Sequence, residues 1–218
     1  MKKLAVFDLD GTLVDSIYDL ADCVNSALRA YNLPENTLEE YYSFVGNGME
    51  NLIRTSMKSQ GNNDELYRKV RAFFDEEYRL HCNDKTCAYE GVAQMLSALQ
   101  DKGVKTAVLT NKAHNFVEGI LDKCFPEHKF SLAWGQQEGI DRKPSPQGLL
   151  KMISELGCDK SDCVYIGDSE VDVRTAENAG MDLICVLWGF RSKEQLIDAG
   201  ADCMVETADE LLEKIITL

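Results

Sequence analysis

Apolar residues come in short unbroken runs along this chain, the first being Leu4-Ala5-Val6-Phe7 within residues 4–9. Further runs follow at residues 104–110, 130–134, 163–166 and 183–187, with a weaker one at 202–205. Continuous runs of this length, rather than alternating ones, suit strands buried on both faces of a parallel sheet. Between them, apolar residues recur at helical spacing over 91–102, 115–123, 146–156, 171–179 and 208–216. Strand–helix alternation of this kind predicts an α/β fold, an open Rossmann-like parallel sheet sandwiched by helices and joined by right-handed crossovers.

One stretch breaks the alternation. From residue 16 to 84 the pattern is helical throughout, at 17–31, 39–44, 49–59 and 64–81, punctuated by Pro34, Gly46, Gly48 and Gly61-Asn62-Asn63. The expected organisation is therefore a core of residues 1–15 and 85–218 with an all-helical domain, 16–84, inserted after the first strand. The polar stretch at 82–86 serves as the return linker.

Charge narrows the partners. Lysine and arginine number 23 against 37 acidic residues, a formal net charge of −14. A surface that acidic repels nucleic acid and anionic membranes. No apolar stretch approaches the ~20 residues of a membrane span. Asp8 and Asp10 interrupt the N-terminal apolar run too early for a signal peptide, so the start reads as that of a cytoplasmic protein. The eight cysteines contain no C-x-x-C pair and are expected to be reduced thiols. His81, Cys82 and Cys87 lie close in sequence, but their spacing fits no zinc pattern. No long exposed apolar heptad appears, which leaves monomer and homodimer both open.

Ligands of an open α/β sheet sit beyond the carboxyl ends of its strands. Asp8 and Asp10 follow the first strand, Thr110-Asn111-Lys112 the second, and Gly167-Asp168-Ser169-Glu170, then Asp172, the fourth. Lys143 precedes the helix that leads into that fourth strand. Aspartates gathered in one cleft repel one another and tend to hold protons. A hard divalent cation relieves the repulsion, and magnesium prefers oxygen ligands. Asp8 and Asp168 are the candidate direct ligands, with Asp172 behind them. With the charge reduced, a phosphate could enter and Asp8 could attack phosphorus. Asp10, two residues on, could protonate the leaving alcohol and later deprotonate water. Thr110, Asn111 and Lys143 are candidate donors to the transferring phosphoryl oxygens. Lys112 and Arg142 flank these positions and read as offsets to the acidic surface. Each feature has a plain counterpart: D-x-D-G-T as a turn, Asn111 as a turn residue, Asp168 as a helix cap, Trp188 as packing.

The four pieces together resemble the haloacid dehalogenase-like hydrolase superfamily. They are Asp8 to Ser16 (D-x-D-G-T-L-V-D-S), Thr110, Lys143-Pro144-Ser145-Pro146, and Gly167-Asp168-Ser169-Glu170-Val171-Asp172, in order along essentially the whole chain. The resemblance implies that Asp8 and Asp168 bind Mg2+ through their side chains and Asp10 through its backbone carbonyl. It implies that Lys143 steadies nucleophile and phosphate, and that Asp172 holds Lys143 or a metal-bound water. It identifies the helical insert as a cap that closes over the site. Phe44-Val45-Gly46-Asn47-Gly48-Met49 is similar to the cap signature of the phosphoglycolate phosphatases, and Trp188-Gly189-Phe190 points the same way. Asn47 and Arg54 are the candidate cap contacts. The implied activity is magnesium-dependent hydrolysis of a small phosphomonoester, 2-phosphoglycolate first, the partner being a small phosphorylated metabolite. The alternatives are a phosphomutase similar to β-phosphoglucomutase and a pyrophosphate or nucleotide phosphatase. Carbon–halogen and phosphonate cleavage are disfavoured, because those relatives lack a counterpart of Asp10.

Overall fold

The structure, a computed structural model, describes residues 1–46 and 48–218. Asn47, the sequence-based candidate for substrate contact, lies outside the described residues. The chain divides into two compact units, one of residues 1–15 and 88–218 and the other of residues 16–87.

In the larger unit, β1 (Leu4–Phe7) lies between β4 (Lys105–Ala113) and β6 (Cys163–Gly167). β5 (Leu132–Gln136) adds outside β4, and β7 (Leu183–Val186) and β8 (Met204–Val205) add outside β6. Every pairing in this six-stranded sheet is parallel. Two further short strands, β2 (Val14–Asp15) and β3 (Cys87–Ala88), stand in sequence at either end of the insertion. The unbroken apolar runs follow from burial on both faces. Ala5 and Phe7 belong to one core cluster, with Val92 and Leu96 of α5 (Val92–Asp101), Ile120 of α6 (His114–Cys124) and Ile215 of α10 (Ala208–Thr217). Leu4 and Val6 belong to the other, with Leu149 and Met152 of α7 (Gln147–Glu155) and Ala176 of α8 (Glu170–Ala179). Alternate residues of one strand thus feed two separate cores, each face covered by helices.

Three sequence expectations shift. The strand expected to stop at Thr110 runs on to Ala113, with a break in its register against β5 between Leu109 and Ala113. The strand expected at 130–134 lies two residues later, because Phe130 packs its ring edge-on against Phe125 and His128 instead of joining the sheet. A helix, α9 (Lys193–Ala199), had no periodic apolar signal, since Leu196 is its one buried residue. Its capping box, Ser192 with Gln195, was the readable sign.

The smaller unit is helical: α1 (Ile17–Ala30), α2 (Leu38–Phe44), α3 (Met49–Ser56) and α4 (Asp64–His81). Val24, Leu28, Tyr41, Ile53, Phe74 and Tyr78 are almost fully buried. α3 ends earlier than the apolar pattern suggested, and Lys58, at φ +51°, takes the left-handed conformation two residues beyond it. Arg54, the other cap candidate, is engaged inside this unit. It pairs with Glu50 and Asp64, each at 2.9 Å, donates to the Gly61 carbonyl and lies 4.0 Å from the Tyr67 ring centre. No helix among the described residues is long and apolar enough to cross a membrane.

Asp19 ties the beginning of this unit to its end. Its buried carboxylate accepts the Lys85 N–H at 2.9 Å, the Thr86 N–H at 2.7 Å and the Thr86 hydroxyl at 2.7 Å. Asp19→Ala would leave these donors without their acceptor, and is expected to cost about 2–4 kcal/mol. Urea unfolding followed by circular dichroism measures the loss, and Asp19→Asn, which keeps one acceptor oxygen, should lose less.

Candidate active site

β1 is the switch point of the sheet: connections leave it towards β4 and β5 on one side and towards β6, β7 and β8 on the other. The crevice beyond its carboxyl end is the natural ligand position of such a sheet. Asp8 is the first residue past β1, its N–H still donating to the Ile166 carbonyl of β6 at 2.8 Å. The chain then turns sharply, with Leu13 and Val14 N–H groups returning to the Leu9 carbonyl and Gly11 at φ +85°. Gly11 is also required by space, since a Cβ there would stand 2.3 Å from Asp168 Oδ2.

Lys143 enters the crevice from the loop before α7 and is buried. Its Nζ lies 2.7 Å from Asp172 Oδ1, 2.9 Å from Asp8 Oδ1 and 3.0 Å from the Tyr165 hydroxyl. Tyr165 in turn donates to Asp172 Oδ1 at 2.8 Å. The other Asp172 oxygen accepts from the Ser169 hydroxyl at 2.6 Å and from the N–H groups of Ser169 and Asp168. Five donors thus meet a carboxylate with about four lone-pair sites, so Asp172 is committed to Lys143 and the start of α8. The Asp8 oxygen beside Lys143 pairs with that ammonium, and among the described residues no other donor reaches it.

Asp168, 1% exposed, stands on the other side of Asp8. Its Oδ1 accepts from the Thr12 hydroxyl at 3.1 Å and its Oδ2 from the Phe190 N–H at 2.8 Å. Asp8, Asp168 and Asp172 each bring one carboxylate oxygen within 4.8 Å of the others, and no other such acidic, histidine or cysteine group occurs among the described residues. All eight cysteines are free thiols.

The strand-end residues of β4 behave less simply than their spacing suggested. The Asn111 side chain engages the Lys143 backbone. It accepts the Lys143 N–H at 2.8 Å and donates to the Lys143 carbonyl at 3.1 Å, fixing the backbone that carries the lysine. Thr110 is buried, and its hydroxyl accepts the Lys112 N–H at 3.2 Å. Lys112 corrects its sequence reading. It is not a surface offset but a buried cation whose side chain is 2% exposed, with Nζ 2.9 and 3.1 Å from the two oxygens of Asp10. The register break in β4 coincides with this residue, and such irregularities commonly re-aim side chains beside active sites. Arg142 stays at the surface, 3.4 Å from the Gln136 amide oxygen. Tyr165, Thr12 and the Phe190 N–H were not anticipated. A tyrosine inside an otherwise aliphatic buried strand was the available signal, because its hydroxyl must find a partner.

Burial pushes the Asp8 carboxyl up to about 7, with Lys143 opposing and Asp172 adding to the rise. Burial, and then the neighbouring Asp172 and Asp8, raise Asp168 well above the ordinary carboxylate range. Asp172 goes the other way: burial alone would raise it, but Lys143 together with the Ser169 and Tyr165 hydroxyls holds it below the usual range. Burial also works against the Lys143 ammonium, yet Asp172 and Asp8 more than offset it. Four carboxylates (Asp8, Asp10, Asp168, Asp172) and two ammonium groups (Lys112, Lys143) leave a formal −4 + 2 = −2. That excess falls on Asp8 and Asp168, whose oxygens are of the kind a hard divalent cation prefers. The residues therefore fit such an ion by charge, by donor type and by the buried Asp8 oxygen that meets only the Lys143 ammonium among the described residues.

The sequence profile of the haloacid dehalogenase-like hydrolases matches residues 5–186. A phosphoglycolate phosphatase of Chromobacterium violaceum is 32% identical over 214 residues, covering 97% of this chain and 95% of that one. A phosphoglycolate phosphatase of Aliivibrio fischeri is 30% identical over 96% of this chain and 95% of its own length. The crystal structure of a candidate phosphoglycolate phosphatase from Lactobacillus delbrueckii subsp. bulgaricus superposes with a TM-score of 0.92, at 34% identity and 99% coverage of both chains. With its sheet order, its acidic crevice and these relatives in agreement, the chain belongs to the haloacid dehalogenase-like hydrolase family.

Proposed function

We propose that this chain is a magnesium-dependent phosphatase of small phosphomonoesters, with 2-phosphoglycolate as its first substrate, and that Asp8 is the nucleophile. The observation that carries the reading is the buried excess of negative charge shared by Asp8 and Asp168, with Lys143 alongside. Phosphoglycolate phosphatases among the relatives, matched over nearly the whole chain, supply the substrate class. Magnesium, when bound, would be held by the side chains of Asp8 and Asp168 and the backbone carbonyl of Asp10, and would neutralise charge on carboxylates and phosphate.

The protein groups then divide the work. Asp8 attacks phosphorus, the ester bond breaks, and an aspartyl-phosphate forms. Asp10 enters the step protonated, gives that proton to the departing alcohol, and is left as the carboxylate that later takes one from the water that cleaves the aspartyl-phosphate. Lys112 holds the Asp10 carboxylate in one orientation while it waits. Lys143, anchored by Asp172, Tyr165 and the Asn111 clamp on its backbone, stabilises charge on the transferring phosphoryl group. The Thr110 hydroxyl, accepting from Lys112, still has its own proton to donate to a phosphoryl oxygen. The core residues named here account for phosphoryl transfer, and selection of the alcohol is assigned to the helical unit.

Asp8→Asn is expected to abolish phosphate release while leaving the far-ultraviolet dichroism unchanged; substantial residual turnover would overturn the nucleophile assignment. Chelation should stop turnover and added magnesium restore it. Phosphate release across glycolate, sugar, nucleotide and pyrophosphate substrates ranks the substrate classes, and dependence on a sugar bisphosphate would mark a mutase instead. Asp10→Asn should slow hydrolysis of alkyl phosphates by about 10²–10⁴-fold and slow p-nitrophenyl phosphate far less, since that leaving group needs little protonation. Equal losses on both would refute the acid role.

A further inference from the structure

Residues 188–191 follow β7 and lie directly against Asp168. A Cβ on Gly189 would stand 2.3 Å from the Asp168 Cβ and 2.5 Å from the Gly11 carbonyl oxygen, so only glycine fits between them. The next residue, Phe190, turns its N–H onto Asp168 Oδ2 at 2.8 Å. Both ends of the segment are fastened. On one side the Trp188 indole N–H donates to the Thr12 carbonyl at 3.0 Å, and the Thr12 hydroxyl donates to Asp168 Oδ1. On the other, the buried Arg191 guanidinium grips Glu170, with Nε 2.7 Å from Oε2 and an Nη2 contact at 3.3 Å to Oε1. Glu170 begins α8, two residues after Asp168, so the grip ties the segment to the same strand–helix junction that carries the aspartate.

We propose that residues 188–191 form a strap whose two anchors, Trp188 on Thr12 and Arg191 on Glu170, hold Asp168 in the orientation in which it takes magnesium. The proposal rests on the reading of Asp168 as a magnesium ligand. One Asp168 oxygen takes its donor from the strap itself, the Phe190 N–H, and the other from Thr12, the residue on which Trp188 is anchored, so both oxygens of the carboxylate are held. A carboxylate with only one of these contacts would have to be ordered by the ion itself, and ordering it would weaken binding. Trp188 and Glu170 are positioning residues: they act on the ion through Asp168. Partners of this kind behind a ligand typically govern affinity by about 10–100-fold.

The test is isothermal titration of the full chain with magnesium chloride alone, paired with the magnesium dependence of turnover. Trp188→Phe keeps an aromatic ring and removes only the indole donor; Glu170→Ala releases the other anchor. Each is expected to weaken magnesium about tenfold, and the half-saturating magnesium concentration for turnover should rise by the same factor. Gly189→Ala, which forces the segment away from Asp168, should do at least as much. Thermal melting without magnesium checks that the fold stands. Wild-type magnesium affinity in Trp188→Phe and Glu170→Ala, with or without a loss of stability, would overturn the strap. Asp168→Asn separates the two readings: if it binds magnesium as tightly as the wild type, the metal assignment itself fails.

Discussion

Charge repulsion among buried aspartates is the constraint around which this protein is arranged. Asp8, Asp168 and Asp172 bring carboxylate oxygens within 4.8 Å of one another, away from bulk water. Isolated, such groups would take up protons and lose the property that makes them useful. Lys143 removes part of the problem by pairing with Asp172 and Asp8, and Lys112 pairs separately with Asp10. What remains is the charge of one divalent cation, placed where a phosphate dianion would have to approach. A chain of net charge −14 thereby has a spot able to accept an anion once a metal is present.

Holding that arrangement requires the surrounding backbone to come unusually close. Gly11 and Gly189 are pressed against Asp168, and a Cβ at Gly167 would fall 2.3 Å from the carboxyl carbon of Asp172. These glycines are therefore part of the electrostatic design: they let fixed N–H dipoles and aspartates share a volume too small for another side chain. The same economy appears in Asn111, whose amide clamps the Lys143 backbone through both its oxygen and its nitrogen. Rigid donors that need no reorganisation when charge moves are the most effective stabilisers of a transferring phosphoryl group.

The fold was readable because two-sided burial leaves a mark. A strand covered on both faces must be apolar along its buried run, and β1, β6, β7 and the Ala107-Val108-Leu109 stretch of β4 carry that mark plainly. α9 carried little, since a helix that buries only Leu196 has no stripe to read. The carboxylates Asp8, Asp168 and Asp172 and the cation Lys143 were legible for a related reason: they follow apolar runs or short motifs, and topology alone brings strand ends together. Lys112 was not, because a lysine two positions beyond an expected strand end looks like solvent-facing charge until the register of β4 is known.

By itself, then, the sequence determined the sheet, the insertion of a helical unit after the first strand, and that Asp8, Asp168, Asp172 and Lys143 gather at the crevice. Those properties are set by local polarity and by the order of elements, both written along one dimension. Only the tertiary structure decided how the charges pair: Lys112 with Asp10, Lys143 between Asp8 and Asp172, Asn111 on backbone, and the 188–191 strap on Asp168. Pairing depends on where a side chain points after a turn or a register break, at distances of two to three ångströms. Residues from 22 to more than 100 positions apart settle it, and no local pattern records it.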